Sequence, residues 1–212
     1  MLNASAGPRE VPRTARGWAE HAGMIAVINA AMYQADGSTS VSLMQAPGHV
    51  NNGHLSRDRT VLAFDRRDER VPPVQIIDRG CQDFEELRPR YGSLVQSIRM
   101  ISCTGRNVWS QQAAKWSTAL IATDRGGRVL LIHVRSPYST HDLIDNLQRL
   151  PIDIDRAMYL EGGRPAQLYF RAGEREVEVV GSTSSSGIGG NRSALPFPNA
   201  LGLYRLPSPT PA

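Results

Sequence analysis

An α+β domain, built on a mostly antiparallel twisted sheet with a few packed helices, is the fold class this sequence predicts. Three observations predict it. Two hairpin patterns are plain: Thr118 to Thr123 and Arg128 to Val134 flank the turn Asp124-Arg125-Gly126-Gly127, and Ala166 to Arg171 and Glu176 to Val180 flank Gly173. Met24-Ile25-Ala26-Val27-Ile28 is a continuous apolar run, the mark of a strand covered on both faces. Helical periodicity, by contrast, is confined to a few short segments.

The elements follow in order. Arg13 to Gly23 predicts a helix with Thr14 as N-cap and Gly23 as its stop. The buried strand Met24 to Ile28 then delivers Asn29 to its end. From Gln34 to Arg59 the residues are mainly Gly, Ser, Asn and His, which predicts loops around one short strand at Val41 to Met44. Thr60 to Asp65 and Val74 to Asp78 are strands either side of a charged turn. Asp83 to Arg88 is a helical turn ended by Pro89. Leu94 to Ser102 alternates, so Gln96 shares a face with Ile98, while Ser97 and Arg99 take the other.

Ser139 caps a helix carrying Leu143, Ile144, Leu147 and Leu150 on one face, with Asp142 placed as in a capping box. Ala157 to Leu160 is a strand ending at Glu161. Ser182 to Gly190 reads as a flexible Gly/Ser-rich loop. Residues 1–205 therefore form one domain, and 206–212, with three prolines, a disordered tail. Met1 and Leu2 read as the end of a strand, which predicts a leader or first strand upstream.

Composition excludes several classes. No run approaches the roughly 18 apolar residues that span a bilayer, and the N-terminus has neither the basic nor the apolar region of a signal peptide. The net charge of +4 invites nucleic acid, but basic residues are scattered, and aromatics, at 6%, are too few for a base-stacking platform. There is no phosphate-binding Gly-Lys-Ser/Thr loop, His-Glu-x-x-His, Cys-x-x-Cys or Gly-x-Ser-x-Gly. Two cysteines are too few for a metal cage. Cys81 and Cys103 are either two buried thiols or one disulfide, the latter implying an oxidising compartment.

Chemistry then rests on polar groups at strand ends. Glu161 precedes Gly162 and Gly163, where bare backbone permits a tight turn and amides that bind an anion. The alternative is an ordinary turn with a surface glutamate. Asn29 leaves a buried strand, as a turn former or a site residue. Arg99 offers a bidentate phosphate clamp or an exposed strand face. Lys115 is the only lysine of the chain, and a compact ammonium kept where arginine is the rule suggests a role. His141 sits at a helix N-terminus, which disfavours its charged form.

Five runs carry a resemblance: Ala26-Val27-Ile28-Asn29-Ala30-Ala31-Met32-Tyr33, Gln96-Ser97-Ile98-Arg99-Met100, Ser117-Thr118-Ala119-Leu120, His141-Asp142-Leu143 and Tyr159-Leu160-Glu161-Gly162-Gly163. In this order they resemble the landmarks of the phosphodiester glycosidase family, over about Thr14 to Leu203, and Pro198 to Gly202 is similar to that family's last strand. The family commonly has Asn-Ala-Gly at Asn29-Ala30-Ala31, Asp-Gly-Gly at Glu161-Gly162-Gly163, Gly-Pro at Ile98-Arg99 and Arg at Ser117. Glutamate keeps the charge but moves it outward, implying a different substrate geometry.

The resemblance implies a hydrolase that cuts a glycosyl phosphodiester at the anomeric C–O bond. Glu161, Asn29, Arg99, His141 and Lys115 are its catalytic candidates; Tyr33, Ser117, Asn52, Gly162 and Gly163 are its substrate-binding ones. It implies no cofactor and no metal, a glycosyl phosphodiester or phosphorylated glycan as partner, and no set oligomeric state. Its members' location implies a bacterial secreted or periplasmic protein. The rival reading is a non-catalytic glycan-binding or cell-envelope module on the same fold.

Overall fold

The computed structural model describes residues 1–182 and 193–205. The expected Gly/Ser-rich loop, apart from Ser182, and the tail at 206–212 lie outside the described residues. Strands dominate, as the hairpin patterns require, but they form three antiparallel sheets rather than one twisted sheet. The first runs in the order β1 (Leu2–Asn3), β14 (Asn199–Leu203), β2 (Ala26–Asn29), β12 (Gln167–Ala172) and β13 (Arg175–Val180). The second is β4 (His49–Asn52), β3 (Met44–Ala46), β7 (Tyr91–Ser97), β5 (Thr60–Arg66) and β6 (Gln75–Asp78). The third is β10 (Val129–Tyr138), β9 (Trp116–Asp124), β11 (Ile154–Gly162) and β8 (Arg99–Ile101).

The extra sheet arises at Ile98. Leu94 to Ser102 reads as one strand, yet the chain pairs with β5 up to Ser97 and with β11 from Arg99 onward. Every residue of β7 is buried, so this strand is covered on both faces and its alternation marks no solvent side. One face turns to a core shared by all three sheets. Ile28 and Leu201 enter it from the first, Leu62, Ile76 and Val95 from the second, and Ile121, Met158 and Leu160 from the third.

Each sheet's outer face is closed by one helix. Trp18 of α1 (Ala15–Ala22) packs with Val27, Tyr169 and Ala200, and its indole N–H donates to the Phe197 carbonyl at 3.0 Å. Phe84 of the single-turn α2 (Phe84–Leu87) packs with Val61, Ile77 and Leu94. Leu143, Ile144 and Leu147 of α3 (Thr140–Arg149) cover Leu120, Ala122, Ala157 and Tyr159. The predicted caps of α1 are in place: Thr14 accepts from the Gly17 N–H and Gly23 takes φ +67°.

Some local expectations need correction. The short strand begins at Met44 and not at Val41, and it is paired with β4 in a hairpin hidden by its polar sequence, His49-Val50-Asn51-Asn52. Pro89 does not end the helical stretch; it sits at the start of a 3-10 turn, where a missing N–H costs nothing. Leu150 lies beyond α3 and is 51% exposed. Asp142 leaves the capping box half made, since its carboxylate accepts from Gln111.

Cys81 and Cys103 form a disulfide, their Cα atoms 6.5 Å apart, which resolves the open alternative. It ties the turn after β6 to the turn after β8, across the junction of two sheets. Fully buried Asp78 reinforces that junction, accepting from the N–H groups of Gly80 and Cys103 and from Arg99 Nη1. A Cys81→Ser, Cys103→Ser double variant is expected to lose about 3 kcal/mol, the entropy of a loop of this length. Urea denaturation of the oxidised protein beside the variant checks this, and coincident midpoints would show that the bridge adds nothing.

Candidate active site

Glu161 stands inside β11 and not after it. The ladder with β9 slips here: Tyr159 faces Leu120, but Glu161 faces Ala119, so Leu160 and Glu161 share a bulge. A bulge re-aims side chains at a strand end, and Gly163 follows at φ +66°, a conformation that suits glycine. The turn is then fastened on several sides. The Gly163 N–H donates to the Ser117 carbonyl at 2.8 Å, and the Ser182 N–H donates to Ser117 Oγ at 2.6 Å. Asn29 Nδ2 donates to the Pro165 carbonyl at 3.1 Å and its Oδ1 accepts from the Gln167 N–H at 2.8 Å. His133 Nε2 meets the Ala166 carbonyl at 3.2 Å.

The Glu161 carboxylate itself is partly buried and has, among the described residues, one partner, the Gly162 N–H at 2.9 Å. No cation pairs with it among the described residues. Burial therefore dominates and pushes its pKa up to about 7, the Gly162 N–H only tempering the rise. No second carboxylate perturbs it. Two phenols feel its charge. Burial first, and the Glu161 charge second, raise the pKa of both Tyr33 and Tyr159. Gly162 is held to glycine by crowding, because a Cβ there would overlap the Tyr159 hydroxyl and stand 2.8 Å from the Trp116 indole nitrogen.

The structure thus gathers Glu161, Gly162, Gly163, Ser117, Asn29 and Tyr33 of the expected residues. Lys115 is exposed and precedes Trp116 at the start of β9. Asn52 acts at one remove: its Nδ2 donates to the Ser40 carbonyl, and Ser40 bridges Tyr33. Arg99 stands elsewhere, with Nη1 on both oxygens of Asp78 at 2.9 and 3.0 Å. Burial alone would raise the Asp78 pKa, but the Cys103 and Gly80 amides and then Arg99 hold it below the ordinary value. His141 lies among acids of its own helix, Nδ1 being 3.6 Å from Asp142 and 3.7 Å from Asp145.

Sequence reasoning passed over Tyr159, Trp116 and Arg164. The first two read as strand aromatics, of the kind that fill cores. Arg164, exposed and next to the glycine pair, carried a signal that was available: a cation one residue beyond a phosphate-type turn.

With this geometry in view, residues 22–204 match the phosphodiester glycosidase family. The chain belongs to that family. Among solved structures it is similar to the catalytic domain of zebrafish N-acetylglucosamine-1-phosphodiester alpha-N-acetylglucosaminidase, auto-inhibited by its pro-peptide. That match has a TM-score of 0.69 at 10% identity, covering 97% of this chain and 72% of the other. A hypothetical protein from Synechocystis matches with a TM-score of 0.54 at 13% identity, covering 85% of this chain and 55% of the other. No curated protein matches the chain in sequence. At these identities the structures establish a common fold, and the family assignment rests on residues 22–204.

The raised Glu161 pKa gives this phosphodiester glycosidase member a pH signature in its stability. Below an ordinary carboxyl pKa of 4.5 the group is neutral in folded and unfolded chains alike. Between that value and about 7 only the unfolded chain releases its proton, so folding stability falls as pH rises, and above about 7 the whole penalty applies. Glu161→Gln removes the charge and keeps an acceptor for the Gly162 N–H. The variant is expected to match the parent at pH 4 and exceed it at pH 8 by roughly 3 kcal/mol. Denaturant titrations at both pH values test this; an equal difference at both would place the pKa near its ordinary value.

Proposed function

We propose that this chain hydrolyses a glycosyl phosphodiester at the sugar's anomeric C–O bond, releasing free sugar and a phosphomonoester, with Glu161 as nucleophile or as base for a water. One observation carries the reading. Glu161 is a partly buried carboxylate which, among the described residues, has no ion-pair partner and only one oxygen engaged, and its pKa is about 7. A structural carboxylate in this fold looks different: Asp78 has both oxygens occupied and its pKa lowered.

The lack of a neighbouring carboxylate fits the same chemistry. Ordinary glycosidases pair two carboxyl groups because an alkoxide leaving group needs an acid. A phosphomonoester, with a second pKa near about 6, leaves without one. Segments 183–192 and 206–212 contain no aspartate or glutamate either. The exposed cations Lys115 and Arg164, flanking the pocket in sequence, supply charge for the phosphate, and Tyr33 supplies a hydroxyl for the sugar. Asn29 and Ser117 hold the turn. We assign Arg99 to the Asp78 junction and His141 to its helix, not to substrate.

The family and the fold of the zebrafish enzyme's catalytic domain support the reaction class. Release of free sugar from aryl or nucleotide glycosyl phosphodiesters is the direct test. In oxygen-18 water the label is expected in the sugar; label in the phosphate would make this a phosphodiesterase of another kind. A nucleophile or base must be ionised, so kcat/KM is expected to rise through pH 7 to a plateau. Glu161→Gln is expected to lower kcat by about 10³-fold or more with the fold intact. Unchanged turnover in that variant would move the chemistry away from Glu161, and a folded protein with no turnover on any such diester would favour a binding module.

A further inference from the structure

Tyr159 is fixed from three directions. The Trp109 ring packs on it with centroids 5.3 Å apart, α3 covers it with Leu143 and Ile144, and Gly162 leaves bare the space that its hydroxyl fills. The residue is 5% exposed, and among the described residues the one side chain set against its hydroxyl as a hydrogen-bond partner is the Trp116 indole N–H, itself a donor. Buried phenols ordinarily find partners. Here two polar groups act on it, the Trp116 indole N–H and the Glu161 carboxylate.

Those neighbours decide what the hydroxyl can do. An indole N–H only donates, and this one has no other acceptor among the described residues. It faces the phenol oxygen without closing a full hydrogen bond. With a donor on its oxygen side, the phenol is left with its own hydrogen to give. The phenol also remains protonated across the pH range in which Glu161 titrates, because burial and the nearby carboxylate both oppose its ionisation. The site therefore holds a rigid, protonated donor, with no acceptor for its hydrogen among the described residues, near a carboxylate.

Resting on the function proposed above, we infer that the Tyr159 hydroxyl is a catalytic donor to the phosphate oxygen that leaves the anomeric carbon, and that Trp116 is a positioning residue that turns it there. A sugar hydroxyl brings its own hydrogen and can be met by Glu161; a phosphate oxygen brings only lone pairs, and Glu161 repels it. A donor between the two offsets that repulsion. In the step itself the anomeric C–O bond breaks and its electron pair passes to the bridging phosphate oxygen. A new C–O bond forms from Glu161, or from a water that gives its proton to Glu161. Tyr159 keeps its proton, since a phosphomonoester of pKa about 6 is too weak a base to take one from a phenol of pKa about 10 or more. Its hydrogen bond strengthens as charge builds on the leaving oxygen.

Tyr159→Phe keeps the ring that Trp109 packs on, and Trp116→Phe keeps most of its bulk; near-UV circular dichroism and the thermal midpoint check both folds. With glycosyl phosphodiesters of graded leaving-group pKa, Tyr159→Phe is expected to lower kcat about 10²-fold with KM within about 3-fold, the scale of one lost transition-state donor. The dependence of log kcat on leaving-group pKa is expected to steepen, and Trp116→Phe to steepen it less. A loss confined to KM, or an unchanged slope, would overturn the assignment and put the hydroxyl on the sugar. Binding of phenyl phosphate, read by calorimetry, judges Tyr159 separately from turnover. About 10-fold weaker binding to Tyr159→Phe supports the donor role even if the protein cleaves no glycosyl phosphodiester, and equal binding with no such turnover overturns it.

Discussion

Apolar side chains from all three sheets meet in one central core, and that shared burial dictates the rest of the architecture. A strand that gives one face to the centre has its other face left over. Each sheet must therefore find a second cover, and each finds one helix: α1, α2 and α3 in chain order. The same constraint explains why β7 is buried throughout and β9 at all but its first residue. It also explains where a polar pocket can exist. Only strand ends, where the layers run out, leave room for a carboxylate to be half in and half out of water.

Glu161 occupies such an end, and its properties follow from how little surrounds it. Two carboxylates in this molecule show the contrast. Asp78 is deeper but has three sets of donors, which lower its pKa in spite of burial. Glu161 is less enclosed but has, among the described residues, a single backbone donor, so desolvation wins and the proton is held. Depth alone does not set acidity; the supply of donors does. The surrounding framework of Asn29, His133 and Ser117 binds backbone and leaves the carboxylate alone, which keeps the turn rigid without satisfying the group it presents.

Much of this was legible in the sequence because local chemistry announced it. Thr14 and Gly23 fix α1, the Gly-Gly and Gly173 turns fix both hairpins, and the apolar run fixes β2. The third sheet was not legible, because Ile98 carries the chain between sheets with neither glycine nor proline to mark the change. The polar β4 hairpin hid behind residues typical of loops. At the site, ordered motifs located Glu161 and its glycines, but could not say that Arg99 would face Asp78, an acid 21 residues earlier. Tyr159 and Trp116 were invisible for the opposite reason: an aromatic in a strand is expected in the core, and only the place of their hydroxyl and indole N–H against Gly162 distinguishes these two.

The order of strands in the first sheet has a consequence for how the chain reaches its native state. β2, near residue 26, lies between β12 and β14, and among the described strands β1 pairs only with β14. Leu2 lies opposite Ala200, so the sheet's two halves are almost the whole chain apart. Closing such contacts costs loop entropy before any pairing is gained, which slows folding of topologies like this one. During synthesis, β2 emerges before either of its partners and waits for β12 to pair one edge and β14 the other. The N-terminal segment is thus the part most exposed to wrong partners while the chain is being made, and the part whose protection from hydrogen exchange should be the last to appear.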